Sequence, residues 1–576
     1  MSDYGLESLD YIIFALYFVV LCLIGFWMGR KEKNNAEDYF LAGRKLPWYI
    51  VGGSFVASNI SSEHFIGMVG AAYIYGICIS LSEWRNVWTF SFLIWLFIPF
   101  LIASKTFTVP EFLERRYNNF IRQFFAIVTI LTNILAFLAA VLYGGGLALQ
   151  ALFGWNLTFS IIALALVAGS WAIYGGLKSV AYTDFYTIII MILGGITVTV
   201  LGLKMLSVNH DSILEGFKIM IEKNQASNGI WAEAVTKQAP NIVGDVHYDR
   251  LSVFQPITHK THPWPFIIFG FLSVSIWYNV LNQFMIQRVL GAKNAYHARI
   301  GIVFAGYLKI ILPIIVILPG LILFAQFPEI LKDLSWDALR PEADKGFIKL
   351  VKLLIPIGFK GLILAALFGA IQSTVNSVLN STSTIFTLDI WKRMISPDIS
   401  DKNQVKVGVI SSIVIIIVAI ILANYISHFK GSLFVYIQSL YAFFAPPFSA
   451  IFLVGILWKR INAKGATVAV ISGFVLGIFL KILVNYGGES VPALLKPYEM
   501  QSIFNWIFCV IVVVSVSLLT KPPEPEKITN NLTFNIGSLK VKEDLGNNWY
   551  SSIILWWLIF VFLILSLLTL FSGKLL

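Results

Sequence analysis

Apolar runs of about twenty residues recur from one end of the chain to the other, broken by short polar stretches. Each is long enough to cross a hydrocarbon core of about 30 Å as a helix. They fall near 11–28, 48–75, 78–103, 121–152, 155–174, 183–206, 264–287, 300–325, 358–386, 405–425, 432–457, 465–484, 502–520 and 551–572. This pattern predicts an all-α polytopic membrane protein with about fourteen transmembrane helices. Two of the runs are interrupted. In 48–75, the stretch SNISSEHFIGM (58–68) is mostly Ser, Asn, Glu, His and Gly; in 264–287, SIWYNVLNQ sets two Asn and a Gln among aromatics. Broken helices at corresponding positions of two halves are the sequence sign of a transporter's midplane binding site. These two head successive five-helix blocks, 48–206 and 264–457. An odd number of spans in the first block makes the second enter from the opposite side, which is an inverted repeat by topology.

Composition sharpens the picture. Of 576 residues, 57% are hydrophobic and 13% charged, about half the charged share of a soluble domain. The formal net charge of +11 would suit nucleic acid, but the basic residues sit in alternate loops: Arg30-Lys31-Glu32-Lys33, Arg44-Lys45, Arg115-Arg116, Arg288 to Arg299, Lys392-Arg393 and Lys459-Arg460. The positive-inside rule makes these loops cytoplasmic and puts both termini outside. Residues 1–47 are then a leading helix and cytoplasmic loop, and 207–263 an extracellular loop with some structure of its own. Residues 458–576 become three C-terminal helices with a cytoplasmic linker at 521–550. The expected location is a plasma or bacterial inner membrane. Cys22, Cys78 and Cys509 fall in apolar segments without disulfide or metal-ligand spacing. No basic region precedes the run 11–28, which reads as a retained helix rather than a signal peptide. His210, His247, His259 and His262 are scattered in the external loop and read as solvated.

The polar residues inside the runs carry the chemistry. Unwinding a helix in the bilayer frees carbonyls that must be satisfied, and a hard cation prefers such oxygens. Ser58, Ser61 and Ser62 have two readings, as this kind of ligand environment or as hydroxyls bonded back to their own helix. Glu63 and His64 favour function, because ionisable groups in spans are expensive. Ala370, Ser373, Thr374 and Ser377 form one stripe of a helix. That stripe serves close packing or, facing an unwound segment, completes an oxygen cage for sodium. Glu83 and Asn86 sit early in the third span. Lys309 lies about 13 Å inside its own, too deep for easy snorkelling. Gln438 needs partners for a buried amide. This mixture, without a strong field of one sign, suits a neutral polyhydroxyl solute.

The blocks EDYFLAGRKLPW (37–48), ASNISSEHFIGM (57–68), YGGLKSVAYTD (174–184), QRVLGAKN (287–294), LNSTSTIFTLDIW (379–391), YIQSLYAFFAPP (436–447) and LWKRINAKGA (457–466) resemble the solute:sodium symporter family, nearest its sodium/glucose and sodium/galactose branch. The resemblance implies a LeuT-type core of two inverted five-helix repeats and secondary active transport by alternating access. It implies a sodium site from the carbonyls of Ala57, Ile60 and Ala370 and the hydroxyls of Ser373 and Thr374. A second sodium, where relatives carry one, would sit at Asp184 with Ser373, Asn376 and Ser377, although Asn376 stands where relatives usually have a smaller residue. The solute site would be His64, Glu83, Asn86, Ser275, Lys309 and Gln438. Tyr278 would be an inner gate held by Asn59, with Met68 and Phe434 in the outer gate. Sugar-transporting relatives read Tyr-Trp at the inner gate, whereas this chain reads Tyr278-Asn279.

The expected function is therefore sodium-driven import of a neutral sugar or related polyol. Alternatives within the family are myo-inositol, sialic acid, proline or pantothenate; outside transport, the alternative is a membrane solute sensor. No enzyme is expected, since no nucleophile–base pair, phosphate loop or metal-binding His/Cys cluster appears. The expected partners are the solute, sodium as coupling ion and the lipid bilayer, with no other cofactor and no nucleic acid, and with a monomer sufficient for transport.

Overall fold

The structure is a computed structural model that describes residues 7–30, 35–61, 63–245, 248–426, 433–535 and 548–573. Ser62, His247 and the side chain of Phe434 lie outside the described residues. Among the described residues every regular element is a helix. Eleven helical stretches are long and apolar enough to span a membrane, or up to twelve if the bent pair Pro265–Leu281 and Gln283–Leu290 is one span. The sequence reading of about fourteen is higher because two stretches exceed one crossing. Leu157–Leu206 has 50 residues and Glu63–Ser104 has 42, and 50 residues make about 75 Å of helix. The former turns at Gly176 (φ 56°, ψ −154°), where a Cβ would meet the Tyr39 carbonyl oxygen at 2.2 Å. Only glycine takes that backbone at that approach.

The elements around the site are α1 (Ser8–Gly29), α2 (Trp48–Asn59), α3 (Val69–Tyr75), α4 (Leu157–Leu206), α5 (Gln283–Leu290), α6 (Ala295–Val316), α7 (Phe359–Ile385), α8 (Leu433–Leu457) and α9 (Tyr498–Leu519). Helix α7 is buried along nearly its whole length and packs against α4, with α2 lying between α4 and α6. Asp10 on α1 anchors the start of α7, its Oδ1 accepting from the N–H groups of Gly358 and Gly361 at 2.8 and 2.9 Å. A carboxylate there satisfies orphan donors and suits the helix dipole.

Two sequence readings change. The segment 207–263 carries helices Ile213–Asn224 and Gly229–Ile242 and folds down onto the bundle. His259 and His262 are consequently buried rather than solvated. His259 Nδ1 accepts from the N–H groups of Thr261 and His262 at 3.2 and 3.0 Å. His262 Nε2 lies 3.0 Å from the Ser82 hydroxyl. Arg250, from the same loop, donates to the carbonyls of Tyr73 and Ile74 at 2.8 Å each, closing the C-terminus of α3. Likewise, Arg116, Arg288 and Arg299 are buried rather than free loop charges. Arg116 binds the carbonyls of Gly455 and Ile461, because helix ends leave carbonyls that a buried guanidinium can fill.

Candidate cation and solute site

Helix α2 stops at Asn59, and one extended residue, Ile60 (ψ 120°), breaks it before the wide turn Glu63–Met68 leads into α3. The second interrupted run breaks in the same way at Asn282 (ψ 120°), between Trp277–Leu281 and α5. At the first break the backbone donors are diverted. The N–H of Ser61, which in a continuous helix would bond the Ala57 carbonyl, donates to His64 Nδ1 at 3.3 Å. The N–H of His64, due to the Ile60 carbonyl, turns to that of Ser61 at 3.0 Å. The carbonyls of Ala57 and Ile60 thus lose their helical donors.

Helix α7 faces this gap. Thr374 Oγ1 lies 3.1 Å from each of the carbonyl oxygens of Ser58, Ile60 and Ala370. A threonine hydroxyl has one proton, so it can serve one of these oxygens at a time. The other oxygens face one another, which makes an electron-rich pocket fit for an alkali cation. The neighbouring Ser373 donates to Asp184 Oδ1 at 2.6 Å. Asp184 Oδ2 meets Ser54, Ser58 and Ser377 at 2.7, 3.2 and 3.3 Å. Arg288 lies 3.3 Å from that same oxygen and also bonds Ser377. Of the residues expected around Asp184, Asn376 is not among its partners: both amide atoms are buried without a hydrogen bond. The positive charge at Asp184 in this structure comes from Arg288, a residue the sequence reading had placed in a loop.

Next to the break lies a cavity of about 40 Å³, by a measure in which one water needs roughly 10–15 Å³. Nine expected residues line it together: Asn59, His64, Met68, Glu83, Asn86, Ser275, Tyr278, Lys309 and Gln438. Their polar groups satisfy one another. Lys309 Nζ donates to Glu83 Oε2 and Asn59 Oδ1. His64 accepts at Nδ1, so Nε2 carries the proton and donates to Glu83 Oε1 at 3.3 Å. Asn59 Nδ2 donates to Tyr278 Oη at 2.6 Å, and Gln438 Nε2 to Glu63 Oε1 at 3.0 Å. The ring of Tyr278 packs against Phe137, Phe284 and Tyr441.

Sequence reasoning did not place Ser82, Arg85, Asn279 and Tyr441 in this lining. Glu63 it had marked only as a functional candidate, without a place in the solute site. Asn279, noted for its departure from the sugar-transporter pattern, donates to Asn86 Oδ1 and the Ser275 carbonyl at 3.0 Å each, so it replaces an aromatic wall with an amide. Arg85 was legible, two residues after Glu83, but a helical neighbour at that spacing ordinarily faces elsewhere. Tyr441 reads as an ordinary core aromatic. Among the described residues no group of His, Cys, Asp and Glu is arranged to hold a transition metal.

Comparison with known proteins agrees with this architecture. A family model described as the sodium:solute symporter family matches residues 39–473. The sodium/glucose cotransporter of Vibrio parahaemolyticus is 34% identical over 556 residues, spanning 93% of this chain and 96% of that protein. The human sodium/myo-inositol cotransporter is 32% identical over 567 residues, spanning 94% of this chain and 77% of that one. Among solved structures, a substrate-bound, outward-open Na+-coupled sialic acid symporter shares the fold, with a TM-score of 0.74 at 23% identity over 90% of this chain and 98% of that one.

Proposed function

From the premise that this chain belongs to the sodium:solute symporter family, a family of multi-pass transporters and not of enzymes, we propose that it couples sodium entry to the import of a hexose-sized polyhydroxyl solute, a sugar or polyol. One observation carries the reading: the carbonyls of Ser58 and Ile60 at the break and of Ala370 on α7 converge on Thr374 at 3.1 Å, beside a cavity lined by polar side chains. Sodium entering the carbonyl gap takes Ile60, Ala370, Ser373 and Thr374 as oxygen ligands, with Ala57 completing the set. Its charge draws the break against α7 and fixes His64, which is bonded to the same loop. The solute then exchanges its hydroxyls for the mutual bonds of Glu83, Lys309, Asn86 and Gln438. Such a site favours polyhydroxyl groups because every partner can give or take a hydrogen bond.

Blocks 48–206 and 264–457 serve as the two inverted repeats, a reading supported by the matching single-residue breaks at Ile60 and Asn282. The repeats rock about the site, with Tyr278 closing the inner side while Asn59 holds it, and Met68 lying on the outer side. The cavity of about 40 Å³ is too small for a hexose ring, so it must widen to load.

The test is uptake by purified protein in proteoliposomes, using labelled hexoses, hexose acids and polyols with sodium or choline outside. Sodium-dependent accumulation of at least one polyhydroxyl solute is expected. Uptake of such a solute that is indifferent to replacing sodium with choline would refute the coupling. Sodium-driven uptake of proline or pantothenate alone would refute the solute class.

A further inference from the structure

Arg85 is the cavity residue left without a task. It is 5% exposed, lines the cavity, and its Nε and Nη1 are buried without a hydrogen-bond partner. Its guanidinium lies over the Phe266 ring at 3.9 Å, which holds the plane while leaving the N–H edge unused. The other charges of the cavity are engaged: Lys309 and His64 on Glu83, and Glu63 on Gln438. Glu499 on α9 is likewise buried. Even so, no ion pair joins the two among the described residues, and Glu499 Oε2 is itself without a hydrogen bond. A buried arginine with unused donors at a solute cavity is poised for an anion, and its planar fork matches a carboxylate through two parallel N–H···O bonds.

We propose that Arg85 receives a carboxylate of the solute, and that the transported molecule is a sugar acid, a hexuronate, rather than its neutral parent hexose. The inference rests on the reading of the cavity as a polyhydroxyl site. The hydroxylated ring occupies the face made by His64, Glu83, Lys309 and Gln438, and the acid group points toward Arg85. Lys309 offsets the charge of Glu83, and Arg85 adds a second cation to the cavity lining, so the carboxylates there do not by themselves exclude an anion.

The experiment compares glucuronate and galacturonate with glucose, galactose and myo-inositol in proteoliposomes, for the wild type, R85Q and R85K. The wild type should favour a hexuronate over its parent hexose at least tenfold in kcat/KM. R85Q should cut that preference tenfold or more, and R85K should restore part of it by keeping the charge without the fork. A wild type that prefers the neutral hexose overturns the inference while leaving sodium–sugar symport standing. R85Q lowering all solutes alike, with the preference intact, overturns it too, and marks Arg85 as a counter-charge for Glu499. No sodium-dependent uptake of any solute in the panel would remove the proposed function itself and this inference with it.

Discussion

Thr374 sets one proton against three carbonyl oxygens at 3.1 Å, and Gln438 sets an amide against Glu63 at 3.0 Å; the two side chains should therefore fail in different ways. Thr374→Ala removes a cation ligand and should raise the half-saturating sodium concentration at least tenfold, with little change in solute KM once sodium is saturating. Gln438→Ala removes an amide that the solute's hydroxyls would take up in place of Glu63, with each such bond worth about 0.5–1.5 kcal/mol, and should raise solute KM roughly tenfold at saturating sodium. Sodium titrations of uptake at fixed solute, and the converse, check this; identical kinetic signatures would erase the division between the two sites. At this scale much was legible. Glu83, His64 and Lys309 stand out in apolar runs because a charge there is costly and must be paired. Arg288 was not legible, because an arginine at the edge of a run looks like a loop charge until its aspartate partner, 104 residues earlier, is brought beside it.

Elements were legible as interruptions but not in their geometry. The letters SNISSEHF announce a break, yet the residue that adopts the extended backbone, Ile60, is apolar and β-branched and gives no local signal. Its conformation follows from the Ser61 N–H turning to the His64 ring, a bond within the segment that only the folded turn makes. The wide turn at Leu93–Phe97 left no sequence mark either, since only apolar residues fill it. The loop histidines were misread because polar residues between spans ordinarily face water. Their burial has a pH consequence. Burial pushes His259 down to about 3, and burial, then His259 and the Arg85 charge, hold His262 well below its ordinary range. The released loop protonates both near their ordinary value of about 6.5. Docking is therefore fully stable above pH 6.5 and weakens as pH falls below it, by about 1.4 kcal/mol per unit per histidine. Hydrogen exchange of residues 248–263, corrected for intrinsic rate, should rise on the order of a hundredfold in opening constant at pH 5.5 relative to pH 7.5. H259Q/H262Q should flatten that dependence; a wild-type loop equally protected at both values would contradict it.

For the molecule as a whole, the driving force follows from the ion. One charge moving through 100 mV contributes about 2.3 kcal/mol, and a tenfold sodium gradient a further 1.4 kcal/mol or so. Together these support roughly 500-fold accumulation of a neutral solute per sodium ion. An anionic solute carried with a single sodium would forgo the electrical share. The all-helical membrane architecture was legible from run length and composition, whereas which spans are continuous with one another was not. A 50-residue helical stretch broken at one glycine has the same hydrophobic signature as two separate spans. One feature of the collapsed cavity reaches beyond loading. With Lys309 on Glu83 and Asn59, and Gln438 on Glu63, the polar groups of the pocket bond one another, and on the proposed transport cycle these bonds would stand in for the cargo during the empty return. Lys309→Met would strand Glu83 on that homeward leg, at a cost of about 3–5 kcal/mol for an unpaired buried charge. Net uptake, which needs the leg, should then fall at least tenfold further than solute-for-solute exchange, which skips it; an equal fall in both would show that the pair does nothing for the idle transporter.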